Sequence, residues 1–433
     1  MVNRRKPVRA RRGKAEAPWG QVIEVEIGSL GQRGDGLASH DGKTLFVAGA
    51  APGDRLLVRL DGRRGEGWAA TLIEVLVPGP ARRPPPCRHF GRCGGCALQH
   101  LDDGAYAGWK RHLLVEALQR AGFDAARVAP LQQVGAGSRR RAALAFAHRR
   151  GVLTLGFNAR ASHEVVDIDG CLLLEPPLLD LLPSLQALLA KLTEEDGDAI
   201  LTLTETGIDL LIEGEARLDL FERQSLAAFA ESADLARLSW RRPGAALIEP
   251  VAERRRPLVR FGEVGVAVPP GAFLQPSRDG EQRLVELVAA AVGPLSPVAD
   301  LFAGCGSFTF PLAQRAQVHA VEGDEAAFNA LKASAGGRVT AERRDLAQRP
   351  LMGDELKRFQ AVVFDPPRVG AAAQAEALAA SGPARVVAVS CNPATLARDA
   401  RTLVAGGYRL LVATPVDQFP WAAHLETVAV FER

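Results

Sequence analysis

Two side chains far apart in the chain could together do carbon chemistry. Cys391 stands in Ser390-Cys391-Asn392-Pro393, and Glu426 in His424-Leu425-Glu426-Thr427. A thiolate can add to an electron-poor carbon, and a carboxylate can take a proton from a reacting centre. Four further cysteines form a second group. Cys87, Cys93 and Cys96 have the spacing C-x5-C-x2-C, and Cys171 follows far downstream in DIDGC. Four thiolates suit zinc or an iron–sulfur cluster. A zinc ribbon usually has two CxxC knuckles and only one is present, so the compact triplet with a distant fourth ligand leans towards [4Fe–4S]. Disulfides fit poorly in a reducing compartment. Cys305, the sixth cysteine, has no partner residue in the sequence pattern and reads as a small buried residue.

A ligand loop precedes the reactive cysteine. Asp300-Leu301-Phe302-Ala303-Gly304-Cys305-Gly306-Ser307-Phe308 follows an apolar run and opens a helix-like stretch. Its glycines let the backbone turn tightly and approach a ligand closely. In VHAVEGD a second strand then ends with Glu322, in place to accept from a ribose diol, and Asp345 in RRDL is placed to accept from an adenine amino group. Thr309 occupies the third-glycine position of a GxGxxG loop, which argues for a nucleoside ligand without a pyrophosphate. With Asp365 in Phe364-Asp365-Pro366-Pro367-Arg368, this ordered acidic series resembles that of the class I methyltransferases, whose ligand is S-adenosylmethionine.

The thiol narrows the reaction. C5 of uracil is a poor nucleophile. Addition of a thiolate to C6 turns the ring into an enolate that can take a methyl group at C5, and a base must then remove the C5 proton so that the thiolate can leave. In methyltransferase sheets the last strand runs antiparallel beside the fifth, which would bring Glu426 to Cys391. Asp365 could bind the uracil edge or the cofactor amine. His424 reads as a local hydrogen-bonding residue. Two rivals remain: an amino-group N-methyltransferase, since DPPR loosely resembles an NPPY-type loop, and a non-catalytic iron–sulfur RNA-binding protein.

These motifs together resemble the RNA uracil-5 methyltransferases, most closely the 23S ribosomal RNA branch with a TRAM domain and an iron–sulfur cluster. The resemblance covers nearly the whole chain after the tail. It implies Cys391 as nucleophile and Glu426 as base, with the cluster on Cys87, Cys93, Cys96 and Cys171. Pro270-Gly271-Ala272-Phe273-Leu274-Gln275 matches the family's PGAFxQ segment. Cofactor contacts are implied at Gln275, Phe302, Glu322 and Asp365. Ser307 stands where the family commonly has asparagine, and Asp345 is the third-strand acidic candidate. The transfer RNA branch usually lacks both the barrel and the cluster. The implied partner is RNA, 23S rRNA first, with the target uridine flipped out of its stack. Salt-sensitive binding follows from phosphate contacts.

The elements that must position these groups can be read from texture. The 433 residues, 47% hydrophobic, suffice for several domains. Residues 1–17 form a basic, disordered tail. Residues 18–78 carry short alternating runs expected to form a TRAM or OB-like β-barrel. Residues 79–275 form a mixed α+β central domain holding the cysteine cluster. Residues 276–433 alternate strand and helix, as a doubly wound α/β methyltransferase sheet requires. No run of about 18 apolar residues occurs and the start lacks a secretory pattern, so a cytoplasmic protein is expected, with no membrane partner and nothing that demands more than a monomer. Net charge is only +3, yet arginines cluster in the tail, at Arg139–Arg141 and at Arg254–Arg256. Arginine suits phosphate, but each run by itself reads more readily as a solvated tail or face.

Overall fold

The computed structural model describes residues 19–433, so the basic tail lies outside the described residues. The chain divides into two compact units, one ending at Arg83 and the other running from Pro84 to Arg433.

The first unit is one six-stranded sheet. Its longest strands, Arg55–Arg64 and Gly67–Val77, form an antiparallel hairpin with three register shifts that bend it. Burial alternates along Arg55–Leu60, so Leu56, Val58 and Leu60 point into the core with Leu45 and Val47. Buried Asp54 accepts from the N–H groups of Ala51 and Gly79 and pairs with Arg82.

The second unit contains two main sheets. The central one has seven strands, with helices Pro176–Leu192 and Leu220–Ser232 packed into its core around Trp240. The strand-like run AILTLTETGIDLLI is a hairpin, strands Gly197–Thr204 and Gly207–Gly214, turned at Glu205-Thr206 with Gly207 at φ 124°.

The other sheet is the doubly wound one. Its strands are β1 (Val298–Leu301), β2 (Val318–Glu322), β3 (Val339–Arg343), β4 (Ala361–Phe364), β5 (Arg385–Ser390), β6 (Arg409–Asp417) and β7 (Glu426–Glu432). They stand in the order β3-β2-β1-β4-β5-β7-β6, with β1 to β5 parallel and β7 antiparallel to both neighbours. β1 and β4 are buried throughout, as central parallel strands covered on both faces must be. Upstream chain completes this sheet: Gln132–Gln133 pairs with β6, and helix Asp103–Arg120 packs on helix Pro393–Ala405 and on β6. Among the described residues no helix is long and apolar enough to cross a membrane.

The arginine runs are largely spoken for. Arg139 and Arg141 are half-buried, and Arg140 is buried in an ion pair with Glu281. Arg254 and Arg255 both pair with Asp234.

Candidate active site and cysteine pocket

The ligand loop leaves β1 through three positive-φ residues: Phe302 at 60°, Gly304 at 55° and Gly306 at 104°. Positive φ at an aromatic residue is uncommon and costs energy, a pattern concentrated at ligand sites. Gly306 is also sterically required, since a Cβ there would lie 2.4 Å from the Phe310 ring. Glu322 is fixed at the end of β2 by N–H donors from Gly304 and Asp324, each at 2.7 Å. Thr309, in the third-glycine position, donates its hydroxyl to buried Asp300 at 2.5 Å, and burial lifts the Asp300 carboxyl to about 7.

Ser307 and Asp345 are placed differently. The Ser307 hydroxyl lies 3.5 Å from Glu281 Oε2, and Asp345, exposed beyond β3, accepts from its own loop at Ala347 N. Gln275 is buried. Its Nε2 donates to Asp365 at 3.3 Å and its Oε1 accepts from Gln418 at 2.7 Å. Gln418 also hydrogen-bonds Glu426. A line of polar groups thus runs from half-buried Asp365 through buried Gln275 and Gln418 to Glu426.

Strand register brings the reactive pair together. Ser390 of β5 is paired with Thr427 of β7, so Cys391 and Glu426 are the next residues beyond that pair. The Cys391 thiol is pushed up to about 11 by burial and by the Glu426 and Asp365 carboxylates, against which Arg368 acts. Glu426 is raised to about 7 by burial, with Gln418, Arg368 and Lys110 opposing. Asp365 rises too, through burial and the proximity of Glu426. Three acids crowded together cannot all be ionised, so a cation arriving among them would favour their charged forms. His424 is held locally, with Nδ1 at 2.9 Å from Arg368. Cys305 is buried in the core, its thiol raised to about 12 by burial.

Four polar residues of this region carry no motif: Gln418, Lys110, Arg140 and Glu281. Lys110 falls on the buried stripe Tyr106, Trp109, Leu113 and Leu114 of its helix. A lysine on an apolar stripe calls for a buried partner.

All four remaining cysteines line one pocket. Bridging of Cys93 to Ala159 and the Gly94 N–H to Asn158 O at 2.9 Å fix the triplet loop against the central sheet. Burial and neighbouring thiols raise Cys93, and raise Cys96 to about 12. Backbone N–H groups point at sulfur, from Gly95 to Cys93 and from Leu173 to Cys171. Among the described residues no group of three or more such side chains is placed to hold a metal ion. Four thiols in one pocket are a donor set of the kind that zinc or an iron–sulfur cluster takes.

The parallel order, the reversed β7 and the acidic edge beyond a glycine turn define a class I S-adenosylmethionine-dependent methyltransferase fold. A family model described as tRNA (Uracil-5-)-methyltransferase matches residues 337–433, and a TRAM domain model matches 19–62. An uncharacterized RNA methyltransferase of Brucella suis is 44% identical over 95% of this chain and 98% of its own. A 23S rRNA (uracil(1939)-C(5))-methyltransferase of Alkalilimnicola ehrlichii is 38% identical over 95% of this chain and 97% of its own. A solved Pyrococcus abyssi tRNA (uracil-54, C5)-methyltransferase, in complex with S-adenosyl-L-homocysteine, shares the fold with a TM-score of 0.74 at 23% identity, covering 94% of this chain and 100% of its own. The chain belongs to the RNA uracil-5 methyltransferase family, and it is an enzyme.

Proposed function

We propose that this enzyme methylates C5 of a specific uridine in 23S rRNA, with Cys391 as nucleophile and Glu426 as base. The carrying observation is the β5–β7 register, which sets a thiol and a raised carboxyl side by side at the ligand edge. Cys391 adds to C6 as its thiolate. Glu426 later takes the C5 proton, the C5–C6 double bond re-forms, and the thiolate leaves. When bound, S-adenosylmethionine supplies the methyl electrophile, and its positive sulfonium favours the ionised thiol. Gln275, Phe302, Glu322 and Asp365 hold it, with Ser307 and Asp345 contributing at the rim.

The three parts beyond the tail each have a task. The barrel (18–78) and central domain (79–275) hold RNA, and the catalytic domain (276–433) receives the flipped base. Cys87, Cys93, Cys96 and Cys171 carry a [4Fe–4S] cluster. The ribosomal substrate is supported by the Alkalilimnicola relative, which matches over nearly its whole length.

The test is methyl transfer from labelled S-adenosylmethionine to unmodified ribosomal and transfer RNA, digested to nucleosides, beside Cys391→Ala. Labelled 5-methyluridine in ribosomal RNA with the native enzyme, lost in the variant, is expected. Label that survives loss of Cys391 transfers the assignment to amino-group methylation, and label in transfer RNA alone moves the substrate.

A further inference from the structure

The eight-residue loop Gln418–Leu425 joins β6 to β7 and ends at Glu426. Its shape is imposed from outside. Lys110, in the middle of helix Asp103–Arg120, has a fully buried side chain (0% exposed). Its ammonium donates to Asp417 Oδ1 at 2.7 Å, to Phe419 O at 3.3 Å and to His424 O. An ammonium has three donors, and here three acceptors meet them. Two of these acceptors lie near opposite ends of the loop, so one cation draws its mouth together. One turn earlier, the Tyr106 hydroxyl donates to Asp417 Oδ2 at 2.5 Å and accepts from Trp421 N at 2.8 Å. Trp421 sits at φ 57°, a strained conformation that such bonding can maintain. Its carbonyl accepts from Ala97 N at 2.8 Å and Leu98 N at 3.1 Å.

We propose that Lys110 and Tyr106 are positioning residues for Glu426, holding the loop so that the carboxylate meets the C5 proton. This rests on the reading of Glu426 as the base. A buried cation fixed to two loop carbonyls is hard to explain by stability alone. An apolar pair of similar volume in place of Lys110 and Asp417 would often be neutral or better, whereas the charge fixes one loop geometry.

The consequence is a split between two steps. Addition and methyl transfer need Cys391, just beyond β5, which the clamp does not touch. Release needs Glu426. Lys110→Met and Tyr106→Phe are mixed with RNA and S-adenosylmethionine, and RNA bound covalently to protein is followed on denaturing gels alongside released 5-methyluridine. The expected result is adduct formation near the native rate with release slowed on the order of 100-fold in Lys110→Met, and less in Tyr106→Phe. The proposal is overturned if both variants release product at the native rate. It is equally overturned if formation and release fall together in a Tyr106→Phe protein whose unfolding temperature is native. Should Lys110→Met fail to fold, Tyr106→Phe decides alone. If the native enzyme forms no Cys391-dependent adduct, the functional reading itself falls, and this proposal with it.

Discussion

The side-chain amide of Gln418 donates to Gln275 Oε1 at 2.7 Å, and both residues are buried. The bond joins the end of β6 to the Pro270–Gln275 segment and leaves Gln275 Nε2 facing Asp365. Gln418→Ala strands a buried acceptor, a loss of about 1–3 kcal/mol. Calorimetric affinity for S-adenosylmethionine should fall roughly tenfold or more. An unchanged affinity would mean that Gln275 needs no such support.

Glu426 works only as a carboxylate, and burial raises it from 4.5 to about 7. Single-turnover release of 5-methyluridine product should therefore be slow at pH 6 and climb through pH 7. Stability runs the other way. A carboxyl whose folded value is raised contributes fully below its unfolded value, and that contribution is lost as pH rises through about 7. Unfolding temperature should thus decline as the rate climbs, and Glu426→Gln should flatten that part of the stability curve. A rate independent of pH between 6 and 8 contradicts this assignment.

Arg368 is the charge that favours the Cys391 thiolate against burial and two carboxylates. Arg368→Ala should push the thiol higher and slow its alkylation at pH 8 by roughly 2- to 10-fold. Peptide mass spectrometry after a timed iodoacetamide pulse isolates Cys391 from the other cysteines. Equal labelling in the two proteins would remove Arg368 from the account.

Arg140 and Glu281 form a buried ion pair at 2.8 Å, and Arg140 Nε also donates to Gln275 O at 3.1 Å. Arg140→Met leaves Glu281 buried without its partner. A loss of about 3–5 kcal/mol is expected in urea unfolding. The double variant Arg140→Met/Glu281→Leu should recover much of it, because the unpaired charge is gone.

The cysteine pocket makes a compositional prediction. Protein purified without oxygen should hold about four irons and four sulfides per chain. Cys93→Ala should lose most of both. Stoichiometric zinc with no iron would replace the cluster by a structural ion.

Much of this was legible in the sequence. The catalytic strands read as unbroken apolar runs such as AVVF and RVVAVS, because central parallel strands are buried on both faces. The meeting of Cys391 and Glu426 followed from the reversed last strand. The supporting polar groups were not legible. Lys110 meets Asp417 across 307 residues, and Gln418 meets Gln275 across 143. Periodicity marks a face as buried, but it does not say which distant atom waits there. Arg139–Arg141 misled in the other direction: a run of arginines looks like surface, and here its middle member is buried against Glu281.

Cys96 is followed directly by Ala97 and Leu98, whose N–H groups hold the Trp421 carbonyl of the base loop. Arg139 joins the same two places, lining the cysteine pocket while its guanidinium lies 5.8 Å from the Phe419 ring. The cysteine pocket and the loop before Glu426 therefore share one stretch of backbone and one arginine, so a shift of the Cys87–Cys96 segment would be carried directly to the carboxylate.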